Sequence, residues 1–316
     1  MSQWEYSPSF QAVHADTLLG EGPLWCTRSR TLWWIDGSRP QLLRWRWQAE
    51  RAESWALARP PAALALMADG RLLIAFRARF ACLDEAGAPL RELTTPSLDL
   101  GDERFNDGKV DRMGRLWIGT IDRELERPLG RLRRIDAQGI HIMAEGFALS
   151  NGIGWSPDDR TLYFSESFER RIHRYRYDNQ RGRIVPADDL TGFVRGAAKP
   201  DGLTVDAEGG IWCAVFGGGC VDRYLPDGRL DRRLRLPVSN PTSCMFGGPD
   251  LRTLFVTTAK HGLTPEQVKR ESLAGSLLAI PMDVAGLPET PLASDCVLTC
   301  NVPPHGDAAI IPPLLT

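Results

Sequence analysis

Four side chains that carry a carboxylate or amide oxygen stand at one recurring position in the sequence: Glu21, Asn106, Asn151 and Asp201. Each lies 10 or 11 residues before an aliphatic residue that opens a strand-like segment. If these positions meet in the folded chain, carboxylates without a nearby Lys repel each other, and a hard divalent cation relieves the repulsion. Oxygen-only ligands favour Ca²⁺, Mg²⁺ or Mn²⁺ over Zn²⁺. The pattern therefore predicts a divalent metal site.

Turn chemistry is the alternative interpretation of the same residues. Asn and Asp before Gly are common turn formers, which accounts for Asn151 and Asp201 taken one at a time. It does not account for Glu21, because Glu is not a turn former, or for the shared register. The same offsets place Ala62 and Ser243 at this position in two further repeats. The metal site explains more of the pattern.

These residues belong to six copies of a hairpin pattern, in which two apolar strands flank a turn rich in Asp, Gly, Pro and Ser. The copies begin at Gly22, Ala63, Asp107, Asn151, Asp201 and Thr242. Their second strands open with Leu32, Leu72, Leu116, Leu162, Ile211 and Leu254. Successive openings are 40 to 49 residues apart. A four-stranded propeller blade has this length, roughly 40–50 residues.

The repeat predicts an all-β fold, a six-bladed β-propeller with four-stranded blades around a central axis. Residues 1–316 are expected to form this single domain. A pair of β-sandwiches is the competing fold, but sandwiches do not usually repeat one turn motif six times at a near-constant period. One helix is predicted at residues 265–273, with Thr264 as its N-cap, on the surface rather than as a lid of a pocket.

Composition excludes several classes of protein. The 38 basic residues, of which only four are Lys, alternate with 40 acidic residues and form no basic patch, so we expect no nucleic-acid partner. Neither an 18-residue apolar window nor a signal-peptide pattern occurs, which predicts no membrane association and a cytoplasmic location. Seven Cys without a CxxC pair predict reduced thiols, and five His without HxxxH spacing argue against a His-based zinc site.

Five motifs in this order resemble the SMP-30/gluconolactonase/regucalcin family. They are GEGPLW (residues 20–25), RFNDGKVD (104–111), SNGIGWSPD (150–158), PDGLTVDAEGGIW (200–212) and TSCMFGG (242–248). The resemblance covers about residues 10–290. Residues 291–316 form a tail that matches nothing in the family pattern.

The resemblance implies a six-bladed propeller that holds one divalent metal on its axis and hydrolyses sugar lactones. Its implied metal ligands are Glu21, Asn151 and Asp201. Ca²⁺ is the first expectation for the ion, with Mg²⁺, Mn²⁺, Zn²⁺ and Fe²⁺ as alternatives. Arg104 and Asn106 would orient the substrate, and Glu124 would contact it, although Glu126 in the same loop is another candidate. The N-terminal strand, within residues 10–19, would close the ring against the last blade.

A mechanism follows for such a site. Asp201, bound to the metal through one carboxylate oxygen, would use the other as a general base that takes a proton from water and returns it to the leaving alcohol. The substrate would be a small sugar lactone such as gluconolactone, opened to the aldonic acid. We expect a monomer or a weak homo-oligomer.

Two alternatives stay open. One is a phosphotriesterase or another lactonase on the same propeller, which a pocket lined by aromatic residues in place of Arg104 and Glu124 would favour. The other is a calcium-binding regulatory protein without turnover. The joint presence of Arg104, Asn106 and Asp201 argues against the second, because a purely structural metal needs no substrate clamp.

Overall fold

Each of the six predicted hairpins forms the first two strands of a separate antiparallel sheet. The computed structural model describes residues 5–84, 90–93, 98–192 and 198–298, together with a strand at 314–315. The first strands of the six sheets contact one another in sequence order, and the sixth contacts the first. The sheets therefore close into a ring, and the prediction of a six-bladed β-propeller is confirmed.

The secondary-structure elements of the described residues are as follows, in chain order. The strands are β1 (Glu5–Tyr6), β2 (Gln11–Val13), β3 (Gly20–Cys26), β4 (Thr31–Asp36), β5 (Gln41–Arg46), β6 (Glu53–Ala56), β7 (Pro61–Leu66), β8 (Leu72–Phe76), β9 (Phe80–Leu83), β10 (Arg91–Glu92), β11 (Glu103–Val110), β12 (Leu116–Asp122), β13 (Gly130–Asp136), β14 (Gly139–Phe147), β15 (Ser150–Trp155), β16 (Thr161–Glu166), β17 (Arg171–Asp178), β18 (Arg183–Pro186), β19 (Thr191–Gly192), β20 (Lys199–Val205), β21 (Ile211–Phe216), β22 (Cys220–Tyr224), β23 (Leu230–Arg235), β24 (Pro241–Gly247), β25 (Thr253–Thr258), β26 (Leu277–Pro281) and β27 (Leu314–Leu315). The helix is α1 (Pro265–Arg270).

The blades, from the axis outward, are β3–β6, β7–β10, β11–β14, β15–β18 and β20–β23, and the sixth is β24, β25, β26 and β2. The outer strand of the sixth blade therefore comes from the N-terminal part of the chain, where Gln11–Val13 pairs with Leu277, Leu278 and Ala279. This confirms the predicted ring closure, over a shorter segment than residues 10–19. Strands β1, β19 and β27 add pairings to the fifth, fourth and first blades. The assignment of residues 1–316 to one domain stays a prediction.

Aromatic side chains fill much of the space between blades. Several aromatic pairs join neighbouring blades, among them Trp25 with Phe255, Trp117 with Trp155, and Trp212 with Phe246. The first pair stacks with ring centroids 5.7 Å apart and joins the first blade to the sixth. Each such pair contributes about 0.5–1.5 kcal/mol beyond its buried area. The Trp-rich composition therefore stabilises the contact at which the ring closes.

Buried aspartates fix the turns between the first and second strands of two blades. The carboxylate of Asp111 accepts hydrogen bonds from the indole N–H of Trp117 (2.8 Å) and from the guanidinium of Arg115 (2.7 Å). In the fifth blade, Asp206 accepts from Trp212 at 2.8 Å in the same way. Asp and Trp thus occupy their places in these hairpins because each satisfies the other's buried polar group.

The helix α1 begins at the predicted residue and ends three residues earlier than predicted. Thr264 caps it, with its hydroxyl accepting from the backbone of Gln267 while the Gln267 side chain accepts from the backbone of Thr264. None of its side chains is buried, so it is the surface helix that the sequence indicates.

The part of the chain that the structure describes holds no helix long and apolar enough to cross a membrane.

The segment after the sixth blade crosses the end of the ring where the inner strands finish. Its backbone bonds to the second blade at Leu66 and to the third blade at Gly114. On the way, Glu289 forms an ion pair with Lys109 of β11, with 2.9 Å between Oε1 and Nζ. The two residues line a cavity of only about 30 Å³ on the axis. The segment therefore covers part of this end of the axis, where little space for a ligand remains.

Candidate functional site

Every inner strand carries a β-bulge beside the predicted site position. The pairing with the second strand shifts register directly after Glu21, Pro61, Phe105, Ser150, Pro200 and Pro241. A bulge sets two residues opposite one and turns a side chain out of the regular alternation of the strand. In a propeller this re-aims side chains toward the axis, at the same level in successive blades.

The shared register of the predicted ligands is confirmed. Glu21, Asn106, Asn151 and Asp201 each lie four residues before the strand residue that pairs with the aliphatic opening of the second strand. The difference between offsets of 10 and 11 comes from hairpin turns of unequal length, as expected. All four residues lie within strands, so the turn interpretation of Asn151 and Asp201 is wrong.

One position in this register was assigned wrongly. In the sixth blade the equivalent residue is Thr242 and not Ser243, because the turn before Leu254 is longer than in the other hairpins. Thr242 is fully buried, and its hydroxyl donates to the carbonyl oxygen of Gly20. It therefore joins the sixth blade to the first. Ala62 is at the equivalent position of the second blade, as predicted.

A cavity of about 480 Å³, the axial cavity, lies where the inner strands begin. Five of the predicted site residues line it, namely Glu21, Arg104, Asn106, Asn151 and Asp201. Glu124 lines a neighbouring cavity, which it shares with Arg104. The sequence thus identified a set of residues that the fold brings together, while the substrate role of Glu124 stays a prediction.

Hydrogen bonds hold the amide of Asn151 in one orientation. Its Nδ2 donates to Ser167 Oγ at 2.7 Å, and that hydroxyl donates to the Pro200 carbonyl oxygen at 2.6 Å. Asn106 Nδ2 donates to Asn151 Oδ1 at 2.9 Å and to the Ser150 carbonyl oxygen at 2.7 Å. An amide oxygen has two acceptor sites. One site of Asn151 Oδ1 therefore remains for a ligand.

Three carboxyl groups face the axial cavity, and all three have raised pKa values. Burial raises the pKa of Glu21 well above its ordinary value, and the charges of Asp201 and Asp107 raise it further. Burial and the charge of Asp107 raise the pKa of Asp201 in the same direction. Burial raises the pKa of Asp107 to about 6. The cavity thus concentrates negative charge that the protein alone compensates incompletely.

Two lysines lie near these carboxylates. Lys199 lines the axial cavity, and its charge lowers the pKa of Asp201, while Lys109 lowers the pKa of Asp107. Both effects are smaller than the effect of burial, so the net shifts remain upward. Lys109 also forms the ion pair with Glu289 described above. Two lysines therefore reduce the repulsion without removing it.

Glycine follows two of the predicted ligands because neighbouring inner strands touch there. A Cβ on Gly152 would lie 2.3 Å from the backbone nitrogen of Leu203, and a Cβ on Gly202 would lie 2.0 Å from Ser243 Oγ. No other residue fits either contact without a shift of the backbone or of Ser243. The glycines thus allow the inner strands of the fourth, fifth and sixth blades to approach closely beside the site.

The donor set of the axial cavity fits a divalent cation. Glu21 and Asp201 supply carboxylates, and Asn151 supplies an oriented amide oxygen, which are ligands that hard cations prefer. Within the described residues, no three His, Cys, Asp or Glu side chains could hold a metal ion by themselves. An ion here would therefore depend on the oxygen of Asn151 and on water to complete its coordination.

Asp107 also lines the axial cavity, although the sequence pattern did not indicate it. It follows Asn106, and in a regular strand consecutive side chains point to opposite faces. The bulge in β11 sets Asn106 and Asp107 together opposite Gly119, so both line the cavity. The Asp-Gly step after Asn106 is the signal that could have indicated a bulge. Lys199, Ser167 and His261 were also missed, since nothing in their spacing distinguishes them.

Comparison with known proteins gives a consistent result. A family described as "SMP-30/Gluconolactonase/LRE-like region" matches residues 19–260. The 6-deoxy-6-sulfogluconolactonase of Pseudomonas putida is 33% identical over 279 residues, which cover 88% of this chain and 96% of that protein. Regucalcin of Gallus gallus is 32% identical over 285 residues, which cover 87% of this chain and 95% of that protein. The solved structure of a calcium-binding protein, regucalcin, from Agrobacterium tumefaciens superposes on this chain with a TM-score of 0.83 and 30% sequence identity. The match covers 92% of this chain and 99% of that chain.

Proposed function

This chain belongs to the SMP-30/gluconolactonase/LRE-like family, and we propose that it is an enzyme that hydrolyses sugar lactones to aldonic acids. A relative that matches almost over its whole length is a lactonase by name. The observation that carries the proposal is the convergence of Glu21, Asn151, Asp201, Arg104 and Asn106 on one cavity. Its volume of about 480 Å³ lies within the range of small-molecule sites, roughly 300–1,000 Å³.

Glu21, Asn151 and Asp201 would hold one divalent ion, with Ca²⁺ as the first expectation. A regucalcin of the same fold is described as calcium-binding, which supports this choice. Such an ion supplies a Lewis acid that polarises the lactone carbonyl and stabilises the charge developing on its oxygen. The raised pKa values of Glu21 and Asp201 support the assignment, because both indicate negative charge that a cation would stabilise.

Asp201 is the proposed general base. Its carboxylate accepts a proton from the attacking water and donates it to the ring oxygen as the ester C–O bond breaks. Lys199 lowers the pKa of this carboxylate, and a cation held beside it would lower the pKa further, so that the group would be ionised and could accept the proton. Its backbone is held by the close approach of Gly202 to the sixth blade, which fixes the position of the carboxylate relative to the axis.

Arg104 and Asn106 are proposed to orient the substrate. Asn106 Nδ2 donates its hydrogen bonds to Ser150 and Asn151. The side-chain oxygen of Asn106 therefore remains as an acceptor for a sugar hydroxyl. Arg104 lines the wall between the axial cavity and the cavity that contains Glu124. A substrate that contacts both Asp201 and Glu124 would therefore extend from one cavity into the other.

A substrate panel tests the proposal. Acid release is measured with glucono-, galactono-, xylono- and arabinono-lactones and with a phosphotriester, in the presence of Ca²⁺ and after subtraction of the spontaneous rate. We expect turnover of lactones and little turnover of the phosphotriester, because Arg77, Arg104 and Lys199 line the cavity. Preference for the phosphotriester would instead favour the alternative hydrolase. No acid release from any lactone would contradict the proposal and favour a binding protein.

A further inference from the structure

A second cavity, of about 480 Å³, adjoins the axial cavity, and Arg77 and Arg104 line both. We call it the arginine cavity, because five arginines and one acidic residue line it. The five are Arg59, Arg77, Arg79, Arg104 and Arg123, and the acidic residue is Glu124. Lactone hydrolysis as proposed above uses Arg104 alone of these arginines, so the excess of positive charge has no role in it.

The backbone holds Arg77 beside Arg104. Arg77 begins the turn between β8 and β9 of the second blade, and its carbonyl oxygen accepts from the backbone N–H of Phe105 at 2.8 Å. Phe105 directly follows Arg104 on β11 of the third blade. Arg77 and Arg104, on neighbouring blades, therefore lie near each other at the boundary of the two cavities.

Ion pairing among the described residues distinguishes Arg77 and Arg104 from Arg79. Arg79 forms an ion pair with Glu92 at 3.1 Å, and Arg123 donates to the carbonyl oxygen of Glu103. Neither Arg77 nor Arg104 forms an ion pair with a carboxylate among the described residues. Burial lowers the pKa of Arg104 to about 10, and the charge of Arg77 contributes to the same shift. The unpaired charge of the partly buried Arg104 is therefore unfavourable, and an anion bound between it and the exposed Arg77 would offset that cost.

We propose that the arginine cavity binds a tetrahedral oxyanion, a sulfonate or a phosphate, carried by the substrate at the end of the sugar remote from the lactone. The inference rests on the proposed function, because it places the ester in the axial cavity and the anionic end beyond Arg104. A guanidinium presents paired N–H donors that match the oxygens of such a group. The anion would accept from Arg77 and Arg104 together and neutralise the charge between them.

The test compares kcat/KM for 6-phosphogluconolactone, 6-deoxy-6-sulfogluconolactone and uncharged glucono-1,5-lactone. We expect the native protein to favour at least one anionic lactone by about tenfold or more, and the two anionic arms show which oxyanion fits. Arg77→Gln should lower this preference by about tenfold or more, since hydrogen bonds to charged groups contribute about 1.5–3 kcal/mol. Equal kcat/KM for charged and uncharged lactones would overturn the inference and leave the proposed lactonase intact.

Arg79→Gln is the matched control. Arg79 lines the same cavity and lies two residues from Arg77, but its guanidinium is paired with Glu92. The preference for the anionic lactone should therefore stay as in the native protein. If Arg77→Gln and Arg79→Gln lower kcat/KM equally for all three lactones, the selectivity does not come from Arg77 and the inference fails.

A binding measurement keeps the inference separate from turnover. Calorimetric titration with 6-phosphogluconate and with gluconate reports on the anion without any chemical step. Tighter binding of 6-phosphogluconate, lost in Arg77→Gln, would support the inference even if no lactone were hydrolysed. Equal affinities for the two acids would overturn it.

Discussion

Asp201→Asn is expected to lower kcat for lactone hydrolysis by about 100- to 10,000-fold, the usual contribution of a general base. The amide has nearly the same shape but cannot accept the proton of the attacking water. The fold should persist, because the substitution removes a buried charge that Asp107 repels. The measurement is initial acid release from a lactone in buffer saturated with Ca²⁺, with circular dichroism to verify the fold.

Asp227→Asn is the control for this substitution. Asp227 is in the same blade, in an exposed turn where it pairs with Arg229. It should leave kcat unchanged. Near-native turnover by Asp201→Asn in metal-saturated buffer would show that another group accepts the proton, and Asp107 would then be the first candidate because it lines the same cavity.

Glu21→Gln is expected to weaken divalent-ion binding by about 100-fold or more, since changes to groups that merely support a ligand already cost about 10- to 100-fold. The substitution removes one of the two carboxylates assigned to the ion. In the metal-free protein the same change should raise the melting temperature. The reason is that the pKa of Glu21 is raised in the folded state, so its ionised form destabilises that state at neutral pH.

Calorimetric titration with Ca²⁺ measures the affinity for the ion. Thermal unfolding after chelation measures the melting temperature of the metal-free protein. Glu124→Gln is the matched control, because it neutralises a carboxylate that lies in the arginine cavity instead of the axial cavity. It should bind Ca²⁺ as the native protein does. Equal Ca²⁺ affinity in Glu21→Gln and Glu124→Gln would contradict the assignment of Glu21 as a ligand.

The sequence predicts the propeller well because each hairpin carries its own turn and strand signals at a near-constant spacing. The period is visible without knowledge of the packing between blades. The outer strands are less predictable, since β1, β10 and β27 are two residues long and depend on pairing partners elsewhere in the chain. Residues 291–316 were predicted only as an atypical tail. The ion pair of Glu289, just before this tail, with Lys109 follows from tertiary structure that no local pattern encodes.

For the site, residue type and register were enough to predict that Glu21, Asn151 and Asp201 come together. Each lies four residues before the strand residue that pairs with the opening of the second strand. The predicted positions were wrong or incomplete where a turn or a strand departed from regular geometry. A longer turn moved the equivalent position from Ser243 to Thr242. A bulge brought Asp107 into the cavity, against the alternation of a regular strand.

The most direct test of the account is turnover of glucono-1,5-lactone by protein stripped of divalent ions. The protein is treated with a chelator and dialysed, its ion content is verified by elemental analysis, and acid release is measured before and after Ca²⁺ is added back. We predict a loss of about 100-fold or more on stripping, since a Lewis acid contributes several kcal/mol, and recovery on addition. Full turnover by the ion-free protein would contradict the central claim that Glu21, Asn151 and Asp201 act by holding a metal ion.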